Sequence, residues 1–527
     1  MSTSDNSPRM PVMGIESELA VIVDGERLDP ERLWASPSAL IGPAPLEPSG
    51  ATAPLPGGGV LYFDQGVVEI VTPVIELGPG ASARAVRNVW EGIGHVRERM
   101  TQWSAANGRD VRLQGFSTHY NVTFDRPHPP DPARTVEKLA LLLAYILPIP
   151  VALAGGNRRS TGVGVRPRGN RIEITSDFTP DPGLMIATAT LAAGVVRGAM
   201  SLPSYDLSVL HDLHLPTVDG VVPGKHSSRR GWLARDYHFP RSPFTTNVDA
   251  RVWPTRDGRL LSLRAIARET AWLFRRSLRQ HSDPFSFRLL FSILEGQSPS
   301  LLELPDRPGA YDDVGRAVRW GKVLPQLRAN PADGHWGVVE GARWSTGTFE
   351  AHVADRAKAR ARARRRAARE AQRAGAERIL SAGSPPPPAA GGARRRAPAA
   401  PAPRAAADSS RGENRRTADP DPVAWDAAPD VDRRLRPGVL ERRIRNARPA
   451  AVPFPDRNLT RSSYEEVFLR LVAGTPVRLD DSVYRPAKMR GWYHAVFVGA
   501  DTGKERLFSI DELRADGIVW LEQKEGA

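Results

Sequence analysis

The chain has 527 residues, with 73 lysines and arginines against 59 aspartates and glutamates, for a formal net charge of +14 and an isoelectric point near 10.4. That length buries a sizeable core and exceeds one ordinary domain, which excludes a lone small binding module. A cysteine count of 0 removes disulfides, thiolate metal ligands and cysteine nucleophiles together, and fits a reducing compartment, the cytoplasm.

Residues 1–9 lack the charged start and apolar core of a signal peptide and read as a disordered start. The stretch MPVMGIESELAVIV that follows reads as a strand. Strand side chains alternate faces, so Glu16 and Glu18 point the same way, roughly 7 Å apart at about 3.3 Å per residue. Two like charges between Ile15, Leu19 and Val21 are costly unless solvent reaches them or a cation lies between them. Taken alone, the pair fits a solvated strand face.

Three later segments carry polar residues in the same way. They are VLYFDQGVVEIVT with Asp64 and Glu69, VRLQGFSTHYNVTF with His119 and Asn121, and RIEITSDF with Arg171 and Glu173. Each reads as one strand, and each polar residue alone fits ordinary packing. Four such strands in one sheet instead place carboxylates, an amide and an imidazole on a single face. That is a hard-cation site of the kind that holds magnesium or manganese against nucleotide phosphates.

Between the strands, ASARAVRNVWEGIGHVRERMTQWSAANG, PGLMIATATLAAGVVRGAM and LSLRAIARETAWLFRRSLRQH repeat apolar residues three and four apart and predict helices. LALLLAYILPIPVALAGG is broken by Pro148 and Pro150, which predicts a core helix turning into a loop and no membrane span. The block from 10 to 350 is thus an enzyme-sized domain mixing helices and strands. TGVGVRP is no phosphate-binding loop of the Gly-Lys-Ser/Thr type. HSSRRGW and LHDLHLP read as surface loops.

Residues 351–450 hold most of the excess positive charge in an Arg/Ala-rich helix followed by a Pro/Ala/Gly-rich run with little to bury, and read as a disordered linker. Arginine clusters at 364–366 and 394–396 leave open weak, nonspecific nucleic-acid binding. Between Asp355 and Val423 it lacks the interleaved aromatics that would stack bases. The block 451–527 regains ordinary composition and predicts a small accessory domain, a helix followed by short strands. Trp492, Tyr493, Phe497 and Trp520 are available for its core.

In order and content, the E-x-E strand, the His-bearing strand, the segment GGNRRSTGVGVRPRGNRIEITSDFTPDPGLMIATATLAAGVV and the apolar helix that ends it resemble the glutamine synthetase superfamily. In that family N-R-S precedes R-[IVL]-E-[VF]-R, then F-P-D, then an apolar helix. LYFDQGVVEIVTP and STHYNV are similar to Pup-ligase segments of the same superfamily, which also includes glutamate–cysteine ligases and a Pup deamidase. The resemblance covers roughly residues 10–200.

It implies an α+β fold, an antiparallel sheet cradle with packed helices; the small C-terminal domain, of mixed or mainly β character, is read from its own sequence. It also implies an ATP-dependent carboxylate–amine ligase that uses Mg2+ or Mn2+ and forms an amide through an acyl phosphate. Glu16, Glu18, Glu69, His119 and Glu173 become metal ligands, with Asn121 on the same face. Asp64 becomes the base, and Arg158 or Arg159, with Arg171, contact phosphate. The substrates would be a carboxylic acid and an amine, either of which could belong to a peptide or protein.

Where glutamine synthetases carry Arg two residues after the metal-binding Glu, this chain has Thr175, and Arg166, Arg168 and Arg171 are the nearest replacements. The Pup-ligase His before P-E-Y is absent, one residue fewer separates Asp64 from Glu69, and Val74 stands in place of a Glu. Two other readings remain beside the ligase. One is an amide hydrolase of the Pup deamidase type, and the other a non-catalytic relative with a basic, nucleic-acid-binding linker.

Overall fold

The computed structural model describes residues 8–47, 51–157, 160, 162–179, 181–226, 230–298, 300–303, 463–515 and 517–521. The end of the 10–350 block, the 351–450 stretch, and Arg158 and Arg159 lie outside the described residues. Residues 8 and 9, expected in the unstructured start, are placed: the Arg9 backbone N–H donates to Asp511 Oδ2 at 2.9 Å.

The strands of the first block are β1 (Val12–Val23), β2 (Glu26–Leu28), β3 (Ala53–Pro54), β4 (Val60–Asp64), β5 (Val67–Val71), β6 (Ile75–Glu76), β7 (Val111–Thr123), β8 (Gly162–Pro167), β9 (Arg171–Asp177), β10 (Gly224–Lys225) and β11 (Trp232–Arg235). They form one eleven-stranded sheet in the order β10-β11-β8-β9-β7-β1-β5-β4-β3, with β2 and β6 also on β1. Every pairing in it is antiparallel. The class is α+β.

One face of this sheet is dry. Ile15, Leu19, Val21, Tyr120, Val122, Ile172 and Ile174 are buried in a core shared with the helices Ala81–Asn107, Val136–Ile146, Pro148–Gly155 and Pro182–Met200. At about 25 cal/mol per Å² of apolar surface removed from water, this face supplies the main cohesion of the block. The opposite face carries the polar members of the same strands.

Pro182–Met200 begins with Asp181 accepting from the Leu184 N–H and Pro182 in the first turn, where the missing N–H costs nothing, and only Arg197 along it is not buried. By length and composition it could cross a membrane, but 94% of its apolar window is buried in the fold.

Several segments depart from the sequence expectation. VLYFDQGVVEIVT is a hairpin rather than one strand. Gln65 and Gly66 take φ of 49° and 82° between β4 and β5, the left-handed pair that a tight two-residue turn requires. LALLLAYILPIPVALAGG does not run into a loop after its first helix. Pro148 opens a second buried helix at a 61° bend, using the position where proline is tolerated. LSLRAIARETAWLFRRSLRQH divides at Phe274 into Leu263–Leu273 and Arg275–Gln280. GVGVRP forms β8, an unanticipated strand beside β9.

Among the described residues of the C-terminal block the first element is the helix Tyr464–Val472, capped by Ser463. The remaining strands are, in the first block, the hairpin β12 (Trp253–Pro254) and β13 (Leu260–Leu261) and, in the C-terminal block, β14 (Val477–Leu479), β15 (Ser482–Arg490), β16 (His494–Gly499), β17 (Glu505–Ser509) and β18 (Ile518–Trp520). These last five form an antiparallel sheet in the order β17-β16-β15-β14-β18.

Their core of Tyr464, Phe468, Phe497 and Phe508 also takes in Val12 and packs Val74 from the first block. Glu47 N–H donates to Ala487 O at 2.7 Å. Glu465 is buried against Arg87, with Arg84 at 3.5 Å. The described parts of the two blocks therefore share a core and a buried ionic seam.

Candidate functional site

The antiparallel register brings the polar residues of five strands together on the open face of the sheet. Glu16 stands opposite His119 on one side and Val71 on the other, and Glu18 opposite Ser117 and Glu69. Glu69 is opposite Tyr62, with Asp64 two residues along β4, and Asn121 is opposite Glu173. Directly opposed residues share a face, with their Cβ atoms about 4.5–5.5 Å apart.

Beside the site the register of β7 slips, from Glu18 opposite Ser117 to Leu19 opposite Gly115, so Phe116 is an extra, bulged residue. Gly115 permits this, because a Cβ there would lie 2.2 Å from the Phe178 ring.

Five of the expected residues converge. Glu16, Glu69 and His119 can each offer an atom within 4.8 Å of the others, as can Glu18, Asp64 and Glu69, so Glu69 belongs to both triads. His119 Nδ1 is 3.1 Å from Glu16 Oε2 and its Nε2 is 3.6 Å from Glu18 Oε1. Ser117 Oγ donates to Glu18 Oε2 at 2.5 Å.

Their electrostatics follow from crowding. Burial first, then the Glu16 carboxylate with Glu18 behind it, pushes Glu69 up to about 8, against the opposing pull of the Tyr62 hydroxyl and His119. Tyr62 is raised by burial and by Glu69, Glu16 and Asp64. Burial lowers His119, but its bond to Glu16 and the charges of Glu18 and Glu173 outweigh burial and raise it. Four carboxylates against one imidazole, with one carboxyl driven toward its neutral form, make a donor set suited to a hard divalent cation.

Glu173 and Asn121 lie on the same face but are engaged differently. The fully buried Glu173 carboxylate meets Arg166 and accepts from Arg168 Nε at 2.6 Å. Burial would raise Glu173, yet His119, Arg166 and Arg168 together hold it below the usual carboxylate range. Arg171 Nε donates to Asn121 Oδ1 at 2.8 Å. Glu173 therefore belongs to neither triad. It anchors two guanidiniums beside them, and Arg166 reaches this position because β8 pairs with β9 across from Glu173. Asp177, opposite Ser117, accepts from the backbone N–H of Asn157 at 2.9 Å.

At the β1 entry the face runs into a cavity of about 110 Å³ whose walls come from both blocks, with Val12, Val74, Trp492 and Tyr493 on its apolar side and Glu16 and Arg171 on its polar side.

No protein-family model matches the chain, and no curated protein matches it. Among solved structures it is similar to the crystal structure of the complex between the prokaryotic ubiquitin-like protein Pup and its ligase PafA. The TM-score is 0.34 at 13% sequence identity, over 65% of this chain and 79% of that one. At that score the likeness carries no weight for function, and the reading of the site rests on its own geometry.

Sequence reasoning passed over Tyr62 and Ser117, although each sits two residues before a named site residue and so shares its face. It assigned Trp492 to the C-terminal core, whereas the residue lies outside that cluster and is 37% exposed. No local signal separates it from Phe497, which is fully buried.

Proposed function

We propose that this protein is an ATP-dependent carboxylate–amine ligase. The observation that carries the reading is the pair of triads, Glu16–Glu69–His119 and Glu18–Asp64–Glu69, joined through Glu69 on one sheet face, with the Arg166, Arg168 and Arg171 guanidiniums alongside. Glu16, Glu18, Glu69 and His119 would hold magnesium or manganese, which when bound neutralises phosphate oxygens.

Phosphoryl transfer asks chiefly for positioning and charge neutralisation, and this chain offers both without a serine or cysteine nucleophile. A substrate carboxylate oxygen attacks the γ-phosphorus and ADP departs with the bridging oxygen. The amine nitrogen then attacks the acyl carbon, phosphate departs, and Asp64 accepts the amine proton. Arg168 is the candidate cation for the transferred group, because Thr175 leaves the expected arginine position empty and Arg168 is 36% exposed beside Glu173.

Asp64 could equally take a proton from water, which is the chemistry of amide hydrolysis. The two readings part on stoichiometry, since a ligase releases one ADP and one phosphate per amide formed. The test is ADP release from Mg·ATP across a panel of acids and amines, peptides included, with the amide identified by mass spectrometry. ADP release that requires both partners supports the ligase. Amide cleavage without net ADP production supports the hydrolase. Absence of Mg·ATP binding overturns the nucleotide reading.

A further inference from the structure

We infer that the outward face of the helices Leu263–Leu273 and Arg275–Gln280 is a docking surface for an anionic lipid bilayer, on which the protein lies peripherally. The inference stands apart from the ligase reading and uses none of its residues.

Where the two helices meet, Trp272 and Leu273 are 47% and 43% exposed, two large apolar side chains adjacent in water. One such residue would be ordinary, but here four exposed arginines surround the pair, Arg268, Arg275, Arg276 and Arg279. Among the described residues none of the four is ion-paired with a carboxylate, and Glu269, beside Arg268, is held by Arg259 at 2.8 Å. Glu295, raised by burial against the pull of Arg268, is the other acidic group that acts here.

The face is fixed in this outward orientation. On the inner side Phe274 and Leu278 are buried against Gly198 and Gly194 of the helix Pro182–Met200, so closely that a Cβ on those glycines would lie 2.6 Å and 2.3 Å from them. The helices therefore cannot roll to hide the apolar pair. The guanidiniums of Arg275 and Arg279 lie over the rings of Trp272 and Phe287, with centroid distances of 5.4 and 5.7 Å, which holds both cations beside the pair and leaves N–H donors for an anion.

The arrangement selects the occupant. Arg268, Trp272, Arg275 and Arg279 follow at i, i+4, i+7 and i+11, one stripe about 16 Å long at about 1.5 Å per residue, and Leu273 and Arg276 lie on the stripe beside it. Positive charge thus encloses the apolar pair in two dimensions. An extended acidic peptide or a nucleic-acid strand presents its charges along a line and matches one stripe. A base would also compete with Arg275 for the face of Trp272. An anionic bilayer offers phosphates across a plane, for bidentate pairing with guanidiniums, above an acyl boundary that accepts tryptophan and leucine.

The test is co-sedimentation of the full chain with vesicles of phosphatidylglycerol and phosphatidylcholine in equal parts, and with phosphatidylcholine alone. Wild type should bind the anionic vesicles only, with its tryptophan emission shifted to shorter wavelength. Trp272→Ala should weaken partition about tenfold, and Arg275→Gln with Arg276→Gln about 30-fold. Trp272→Phe keeps an apolar ring and should bind within about threefold, yet lose most of the emission shift, which assigns insertion to this residue rather than to the arginines of 351–450. Unchanged partition in both weakening variants, or an undiminished shift in Trp272→Phe, overturns the docking surface and leaves vesicle binding to the arginine-rich stretch. Failure of the wild type to bind anionic vesicles overturns it outright. Binding of polyglutamate or of a single-stranded oligonucleotide with the same dependence on these residues, in place of vesicles, overturns the lipid in favour of a polypeptide or a nucleic acid.

Discussion

Glu18 and Glu69 face each other directly across the β1–β5 pair, and the native fold holds Glu69 at about 8 against its ordinary value of 4.5, through burial first and the Glu16 charge second. A carboxyl raised on folding favours the native state fully below its unfolded value. That contribution is lost as pH rises through the folded value. In metal-free buffer the thermal midpoint should therefore fall between about pH 5 and 8, and fall less in Glu16→Gln, which removes the largest neighbouring charge. Unfolding scans across pH with a chelator present check this. An equal slope in wild type and variant would mean that Glu16 does not set the Glu69 proton.

A divalent cation should flatten that slope, because binding displaces the proton and compensates the carboxylates. Glu16→Ala and Glu18→Ala should each lower Mg2+ or Mn2+ affinity by about 100-fold or more, beyond the roughly 10–100-fold cost of losing an outer-shell partner, while the fold is retained. Titration with Mn2+ followed by electron paramagnetic resonance reads the affinity directly. Unchanged affinity in both variants would place the cation elsewhere.

Asp64 carries the chemical role in the proposed reaction, so Asp64→Asn should reduce turnover by about 100-fold or more with Mg·ATP affinity nearly unchanged. Its carboxylate also comes within 4.8 Å of Glu18 and Glu69. An equal loss of turnover and of cation affinity would identify it as a ligand rather than a base. Steady-state kinetics and calorimetry on the same preparation separate the two.

The seam between the blocks depends on a buried ion pair. Arg87 and Glu465 are 4% and 2% exposed, and Arg84 lies 3.5 Å from Glu465. Glu465→Ala leaves Arg87 buried without its main partner, a loss of about 3–5 kcal/mol, whereas replacing both by leucine should recover much of the stability. Urea unfolding of the two variants reads the difference, and a single substitution without effect would show that solvent reaches the seam.

Deleting 355–445 and joining the flanks with a short Gly/Ser spacer should preserve ATP turnover on small substrates. Every candidate site residue named from the sequence precedes residue 180, and a stretch so poor in apolar residues contributes little core. Any nucleic-acid binding should disappear with it, and in the full chain should weaken steeply between about 50 and 200 mM salt. ADP release that depends on nucleic acid would contradict the linker reading.

The sequence by itself determined which side chains share a face. Alternation along β1, β7 and β9 is a local property of extended backbone, so Glu16 with Glu18, His119 with Asn121, and Arg171 with Glu173 could be grouped from spacing alone. The helix Pro182–Met200 was legible for a similar reason: Asp181, Pro182 and an unbroken apolar run announce it locally.

Which groups meet across strands was decided only by tertiary structure, because register is a long-range choice governed by the packing of the dry face and by turns and bulges. The Gln65-Gly66 turn folds Asp64 and Glu69 onto adjacent strands, and the bulge at Phe116 sets Ser117 and His119 against Glu18 and Glu16. The pairing of β8 with β9 gives Glu173 to two arginines rather than to either triad. Trp492 comes to the end of β1 from nearly 480 residues away in sequence, through a shared core and a buried ion pair. No periodicity within either block encodes that approach.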